Sequence, residues 1–334
     1  MKTPMLIASL TLIYPTLLSA LTEVNYTILP NGIGNSTLIK LDYSPLSQLE
    51  LDLLLANLET ISFTLYTREN PIVGDVLILN DNSSVQASRW NPKKKTAIVT
   101  HGWMNNGLSP ACTLIRDAII KVRDWNVIVV SWGKIASNLI YAIVAKSVPY
   151  VALRVVSFVD FMRTNAGLRP SNLRIIGHSF GAQVAGLSAK EIGKSGRVAE
   201  IVALDPAKPM FEHKGPDERI DKSDARNVQV IHTCSGQFGF SVSVGTSDFF
   251  ANDGRHQPGC GLDILGVCAH FRSYEYYSVS ITNPKGFLGT RQDGATAYMG
   301  GATLDPNAEG TYYFKTSGLY PYILDTGNYF SRVF

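Results

Sequence analysis

The sequence predicts an α/β protein with a mostly parallel central sheet and helices on both faces. Two observations carry that prediction. Short buried runs, such as Ala97-Ile98-Val99, Val127-Ile128-Val129-Val130, Ile175-Ile176 and Ile201-Val202-Ala203, alternate with longer stretches whose apolar residues recur at helical spacing. Several of these runs also end in turns that carry Gly, Ser, Asp or His, and right-handed crossovers place those turns along one edge of the sheet. With 334 residues, 45% of them hydrophobic, the chain can build a large core, and residues 21–334 are expected to form a single domain. A net charge of +3, from 30 basic and 27 acidic residues, gives no reason to expect a nucleic-acid partner.

The elements follow in order. Lys2, an apolar run from Met5 to Leu18 and the small pair Ser19-Ala20 form the pattern of a secretory signal peptide over residues 1–20. The run is short for a bilayer span and contains Pro15. Asn25, Asn35 and Asn82 each open a glycosylation sequon, which fits export. The next stretch predicts a short helix from Pro45 to Asn57, and Ile61 to Tyr66 alternates as a strand that Asn70-Pro71 closes. Thr96 to Thr100 is a buried strand that runs into His101-Gly102-Trp103. Leu114, Ile115, Ala118, Ile119 and Val122 mark a helix, and Asn126 to Ser131 is the next strand. The dense apolar stretch from Ile135 to Met162 is interrupted by Lys146, Pro149 and Arg154, so it predicts a helix buried against the sheet rather than a membrane span.

The chemistry centres on Gly177-His178-Ser179-Phe180-Gly181. Three apolar residues precede it, and Ala182, Ala185, Gly186 and Ala189 follow at positions that let a helix approach a sheet closely. Strand, sharp turn and helix in that order would hold Ser179 in a strained conformation with its hydroxyl presented at the sheet edge. A Cβ at Gly177 or Gly181 would clash with the facing strand or helix. A serine hydroxyl needs a base, and the base needs an acid to hold its tautomer. In hydrolases of this architecture the chain order is Ser, acid, His. Asp205 follows the buried strand Glu200 to Leu204 and precedes Pro206, which makes it the candidate acid.

Of 6 histidines, chain order leaves His213, His232, His256 and His270 as candidate bases. His270 begins a helical pattern beside Cys268, which can pin its loop. His232 ends a strand and suits a structural position or a wall of the site, and His213 and His256 lie in polar loops. Backbone N–H groups of Phe180 and Trp103 are the candidate oxyanion donors. No metal site is expected: there is no His-Glu-x-x-His, and in an exported chain Cys260 and Cys268 suit a disulfide better than a metal. No cofactor is implied.

These residues resemble the animal pancreatic-type lipases, especially the insect lipase and phospholipase A1 branch. The matching pieces are His101-Gly102-Trp103, Gly177 to Gly186, Leu204-Asp205-Pro206-Ala207, Ile231-His232-Thr233, Asp248-Phe249-Phe250, Gln257 to Cys260 and Cys268 to Tyr274, in family order over roughly residues 60 to 325. The resemblance implies an α/β-hydrolase fold, with Ser179 as nucleophile, Asp205 as acid, His270 as base, and Phe180 and Trp103 as oxyanion donors. The intact triad argues against the non-catalytic yolk-protein relatives, which are carriers or storage proteins of the same fold. Lys208, where the family usually has Gly, and Gln183, where it often has His, depart from the pattern outside the triad.

The segment Gly261, Leu262, Asp263, Ile264, Leu265, Gly266 and Val267 corresponds to the family's lid. Seven residues are too few for the amphipathic helix of the triglyceride lipases. Together with a short Ser235–Ser247 loop, this resembles the phospholipase A1 members. The implied activity is secreted, extracellular hydrolysis of lipid carboxylic esters at a membrane, micelle or lipoprotein surface. Phospholipid sn-1 esters are favoured, and triacylglycerols or galactolipids are the alternative. The sequence provides no C-terminal β-sandwich, so no colipase partner is expected. The even cysteine count leads to the expectation that Cys112 pairs with Cys234.

Overall fold

The computed structural model describes residues 25–30 and 36–324. The expected leader and Asn35 lie outside the described residues, as does the Asn25 side chain. The elements are β1 (Asn25–Pro30), β2 (Ser36–Leu41), α1 (Gln48–Leu58), β3 (Ser62–Tyr66), β4 (Asp75–Leu77), α2 (Asn82–Gln86), β5 (Thr96–Thr100), α3 (Pro110–Val122), β6 (Asn126–Ser131), α4 (Gly133–Ala136), α5 (Tyr141–Ala166), β7 (Leu173–His178), α6 (Phe180–Gly193), β8 (Glu200–Leu204), β9 (Asn227–His232), β10 (Ser247–Ala251), α7 (Val267–Thr282), β11 (Leu288–Thr290), β12 (Thr296–Tyr298) and β13 (Gly310–Phe314).

An 11-stranded sheet runs in the order β12-β11-β13-β10-β9-β8-β7-β5-β6-β3-β4. From β6 to β13 every neighbouring pair is parallel. The strands beyond that run, β3 and β4 on one side and β11 and β12 on the other, are antiparallel. The parallel core carries the Val- and Ile-rich runs because both of its faces are covered. Alternate residues of one strand therefore enter different cores. Ile98 packs with α5 and α6 on one face, whereas Ala97 and Val99 pack with α3 and α7 on the other.

Local signals account for several boundaries. α1 starts with a capping box: Ser47 Oγ accepts the Glu50 N–H, and Glu50 accepts the Ser47 N–H at 2.7 Å. The expected long helix divides at Ser137–Ile140 into α4 and α5, where Asn138 Oδ1 accepts the Ile140 N–H at 2.8 Å and stops the first piece. α5 is long and apolar enough to cross a bilayer, yet 56% of its most apolar window is buried inside the protein. Asn82 is exposed at the start of α2.

Candidate active site

β7 delivers Ser179 through a turn with φ 58° and ψ −121°, and α6 begins at the next residue. Such a conformation costs a non-glycine residue of the order of 1–3 kcal/mol and persists only where its surroundings enforce it. The enforcement is steric. A Cβ on Gly177 would lie 2.0 Å from the Gly181 carbonyl oxygen, and one on Gly181 would lie 2.6 Å from the His101 carbonyl oxygen. Main-chain bonds complete it: Ser179 N–H donates to Leu204 O at 3.0 Å, and Ser179 O accepts from Ala207 N–H at 3.2 Å. The Ser179 turn is thereby tied to the turn after β8.

That second turn carries Asp205, fully buried and also at positive φ, 43°. Its Oδ1 accepts the N–H groups of Thr233 at 2.8 Å and Cys234 at 3.0 Å, both just beyond β9. Its Oδ2 accepts from His270 Nδ1 at 2.6 Å. Three donors on one buried carboxylate fix its plane. With Nδ1–H committed to Asp205, the neutral His270 ring carries its lone pair on Nε2, as a general base requires.

His270 sits in the first turn of α7. Its own N–H donates to Gly266 O at 2.8 Å, and the Ala269 N–H donates to Asp263 Oδ2 at 2.7 Å. Phe238 stacks on the imidazole with ring centroids 5.0 Å apart. On another side lies His178, its ring 4.4 Å from that of His270 and its Nε2 3.3 Å from the His270 carbonyl. Burial, reinforced by the neighbouring His270, holds His178 well below the ordinary imidazole value, so it stays neutral beside the base.

At the head of α6 the Phe180 N–H has no intrahelical acceptor. The Trp103 N–H has no acceptor among the described residues. Gly102 presses on Ser179: a Cβ there would lie 2.7 Å from Ser179 Cβ. Both candidate donors therefore flank Ser179.

Cys260 and Cys268 form a disulfide. The strap between them is a loop from Gly261 to Gly266, and Val267, counted in the expected lid, is the first residue of α7. Leu262 is 90% exposed and Ile264 70% exposed, beside a cavity of about 580 Å³ that reaches Phe271. The strap is anchored inward by Asp263 and by Gln237 Nε2, which donates to Ile264 O at 3.2 Å. The cluster Cys260, Asp263 and Cys268 has metal-like proximity, but both of its sulfurs are in the disulfide.

The expected Cys112–Cys234 bridge is not formed. Both are buried free thiols. Cys112, on α3, belongs to the core on one face of the sheet, and Cys234, after β9, to the core on the other. The sheet separates them, and an even count says nothing about faces.

His232 takes the structural place that was one of its two expected roles. It is buried, with Nε2 2.9 Å from Asp248 Oδ1 and Nδ1 3.2 Å from the Phe240 carbonyl, and it stacks on Phe250. The pair holds the base of the loop that carries Phe238. His213 and His256 are exposed and have no hydrogen bond to Ser179, Asp205 or His270. Gln183 ties the turn after Asp205 to the chain near Ile220, through Ala207 O at 3.0 Å and the Ile220 N–H at 3.0 Å. Lys208 donates to Gly236 O at 3.0 Å and so joins the same turn to the Phe238 loop. Phe238 and Gly239 were not singled out from the sequence. Their one signal was Phe238-Gly239-Phe240 within a polar loop. Gly239 leaves the space that a Cβ, 2.3 Å from Asp205 Oδ1, would fill.

A serine on a strand–turn–helix elbow, followed in the chain by Asp and His at the carboxyl edge of a parallel sheet, defines the α/β-hydrolase class. The comparisons narrow this. The Lipase family matches residues 43–314. Pancreatic lipase-related protein 2 of Myocastor coypus is 37% identical over 249 residues, covering 68% of this chain and 52% of that protein. Pancreatic triacylglycerol lipase of Homo sapiens is 36% identical over 249 residues, covering 68% and 53%. The chain belongs to the Lipase family. It spans about half the length of the curated relatives it matches.

Proposed function

We propose that this protein is an exported serine hydrolase of lipid carboxylic esters that acts at a membrane, micelle or lipoprotein surface, with the sn-1 ester of phospholipids as its favoured substrate. The observation that carries the chemistry is the buried Asp205–His270 bond of 2.6 Å behind a serine held at φ 58°. Ser179 Oγ attacks the ester carbonyl carbon while His270 Nε2 takes the hydroxyl proton. The resulting oxyanion accepts the Phe180 and Trp103 N–H groups. When the C–O bond breaks, His270 returns the proton to the departing alcohol. Water, activated by the same histidine, then releases the fatty acid and restores Ser179. His270 becomes an imidazolium beside a carboxylate that already has its other donors, so the acid needs no rearrangement during turnover.

The choice of phospholipid rests on the strap. Six residues between a disulfide and a helix, tied by Asp263, have too little free chain to swing over an acyl groove. Leu262 and Ile264 act instead as fixed anchors in lipid, and a polar headgroup is not shut out. The triacylglycerol alternative draws on the name of the human relative. Rates on phosphatidylcholine, trioleoylglycerol and a galactolipid, each followed across its solubility limit, separate the two. Phospholipid turnover without a sharp jump at aggregation is expected, whereas a steep rise confined to aggregated triacylglycerol overturns the phospholipid reading. A lipid carrier of the same fold would not react with a serine-directed phosphonate, and labelling lost in Ser179→Ala excludes that role.

A further inference from the structure

We propose that His101 is the positioning residue that aims the Trp103 N–H at the oxyanion, and that Trp132 locks His101 in the one tautomer able to do this. The proposal rests on the hydrolase reading above and assigns a part to a buried histidine outside the triad.

His101 is fully buried at the end of β5. Its Nδ1 lies 2.9 Å from the Gly102 carbonyl oxygen, which can only accept, so Nδ1 carries the hydrogen. Its Nε2 lies 3.1 Å from the Trp132 backbone N–H, which can only donate, so Nε2 carries the lone pair. The two contacts admit a single neutral tautomer. Trp132 also holds the frame: its indole N–H lies 3.1 Å from both His101 O and Thr100 Oγ1, and the two rings stack at 5.1 Å. Burial lowers the His101 imidazole to about 4, which keeps it neutral at working pH. A proton on Nε2 would face the Trp132 N–H, donor against donor.

The consequence lies in the next peptide. The peptide between Gly102 and Trp103 is planar and trans, so its N–H points opposite its carbonyl. The carbonyl is drawn to the His101 ring, and the N–H is therefore turned away from that ring. Gly102 packs directly on Ser179, where a Cβ would come within 3.2 Å of Oγ. Beyond it, Trp103 Nε1 donates to Asn138 O at 2.8 Å and Met104 N–H donates to Ala136 O at 2.9 Å, which anchors the far side of the turn. A flip of this one peptide would present a carbonyl, instead of an N–H, to a developing negative charge. The His101 hydrogen bond opposes that flip.

The test compares His101→Asn with His101→Gln on a soluble short-chain ester. Asparagine places an amide N–H near the Nδ1 position and glutamine near the Nε2 position. Loss of one oxyanion donor costs about 10²–10³ in kcat. The expected result is a fall of about 10²-fold or more for His101→Gln and recovery of at least about tenfold for His101→Asn, with KM within about twofold of wild type in both. Affinity for a boronic acid that mimics the tetrahedral state should fall in step with kcat. Thermal unfolding of both variants is measured alongside, and their difference in kcat should exceed any difference in folded fraction. Equal kcat in the two variants, or glutamine above asparagine, overturns the proposal. If wild type hydrolyses no ester and takes no phosphonate on Ser179, the hydrolase reading itself has failed.

Discussion

Two short stretches adjoin His270, the proposed base, and are built in opposite ways. The elbow, residues 177–182, is buried, strained and held by the contact of backbone on backbone at Gly177 and Gly181. The strap, residues 260–268, is mostly half-buried with Leu262 and Ile264 exposed at its tip, and it is held by a disulfide and the Asp263 cap. Leu262 and Ile264 leave most of their surface outside the protein, so these two side chains do little to hold the strap by burial. A covalent link and a charged cap take the place of a core. The elbow therefore positions an atom, and the strap presents a surface.

The largest expected effect lies on the elbow side. Ser179→Ala and His270→Ala should each lower kcat by about 10⁴–10⁶-fold with little change in melting. His232→Ala, as deeply buried and also paired with an aspartate, should instead cost about 3–5 kcal/mol of stability. A larger rate loss in His232→Ala, at unchanged stability, would move the base to His232. Glycine substitution compares the two stretches directly. Gly177→Ala, facing the Gly181 carbonyl at 2.0 Å, should cost about 3 kcal/mol or prevent folding. Gly261→Ala, with open space around it and φ +58°, should cost only about 1 kcal/mol. Urea midpoints decide both, and equal costs would dissolve the contrast.

Acid should weaken the elbow side selectively. Folded His101 resists protonation down to about 4, whereas the unfolded chain takes that proton near 6.5. The unfolded state binds more protons in that window, so this contribution is complete above 6.5 and is lost as pH falls towards 4. It amounts to about 3 kcal/mol at most, and His178 acts in the same direction. Urea midpoints at pH 7, 5.5 and 4.5 should fall more steeply for wild type than for His101→Asn. Parallel curves would mean that His101 is not the titrating group. Opening the strap with Cys260→Ser and Cys268→Ser should cost about 2.5 kcal/mol by loop entropy while phosphonate labelling of Ser179 persists. The smallest change in stability, within about 0.5 kcal/mol, is expected for Leu262→Ser. That variant should nevertheless bind phosphatidylcholine vesicles about tenfold more weakly, because one buried leucine is lost from the lipid contact. Unchanged vesicle binding would remove the strap from the lipid surface.

Much of this site was legible because its geometry is local. Gly177, Ser179 and Gly181 fall within one turn, and strand, elbow and helix can satisfy sterics there in only one way. Asp205 before Pro206, and His270 beside Cys268, also carry their meaning in a few residues. The division of α4 from α5 was not legible, since Asn138 acts as a helix stop only where its side chain turns back to Ile140. Nor was the separation of Cys112 from Cys234, which depends on which face of the sheet the helix of one and the loop of the other cover. The stacking of Phe238 on His270 joins residues 32 positions apart in the chain through a loop with no regular pattern. The His101–Trp132 clasp depends on the pairing of β5 with β6, which aligns Thr100 with Val130 and so brings the two strand ends together. By itself the sequence determined the alternating elements, the elbow and the chain order of Ser179, Asp205 and His270, because short-range sterics and periodic burial set those. Only the tertiary structure decided what surrounds them. Strand register and side-chain facing arise from many weak contacts summed over the whole sheet, and no short stretch of chain contains that sum.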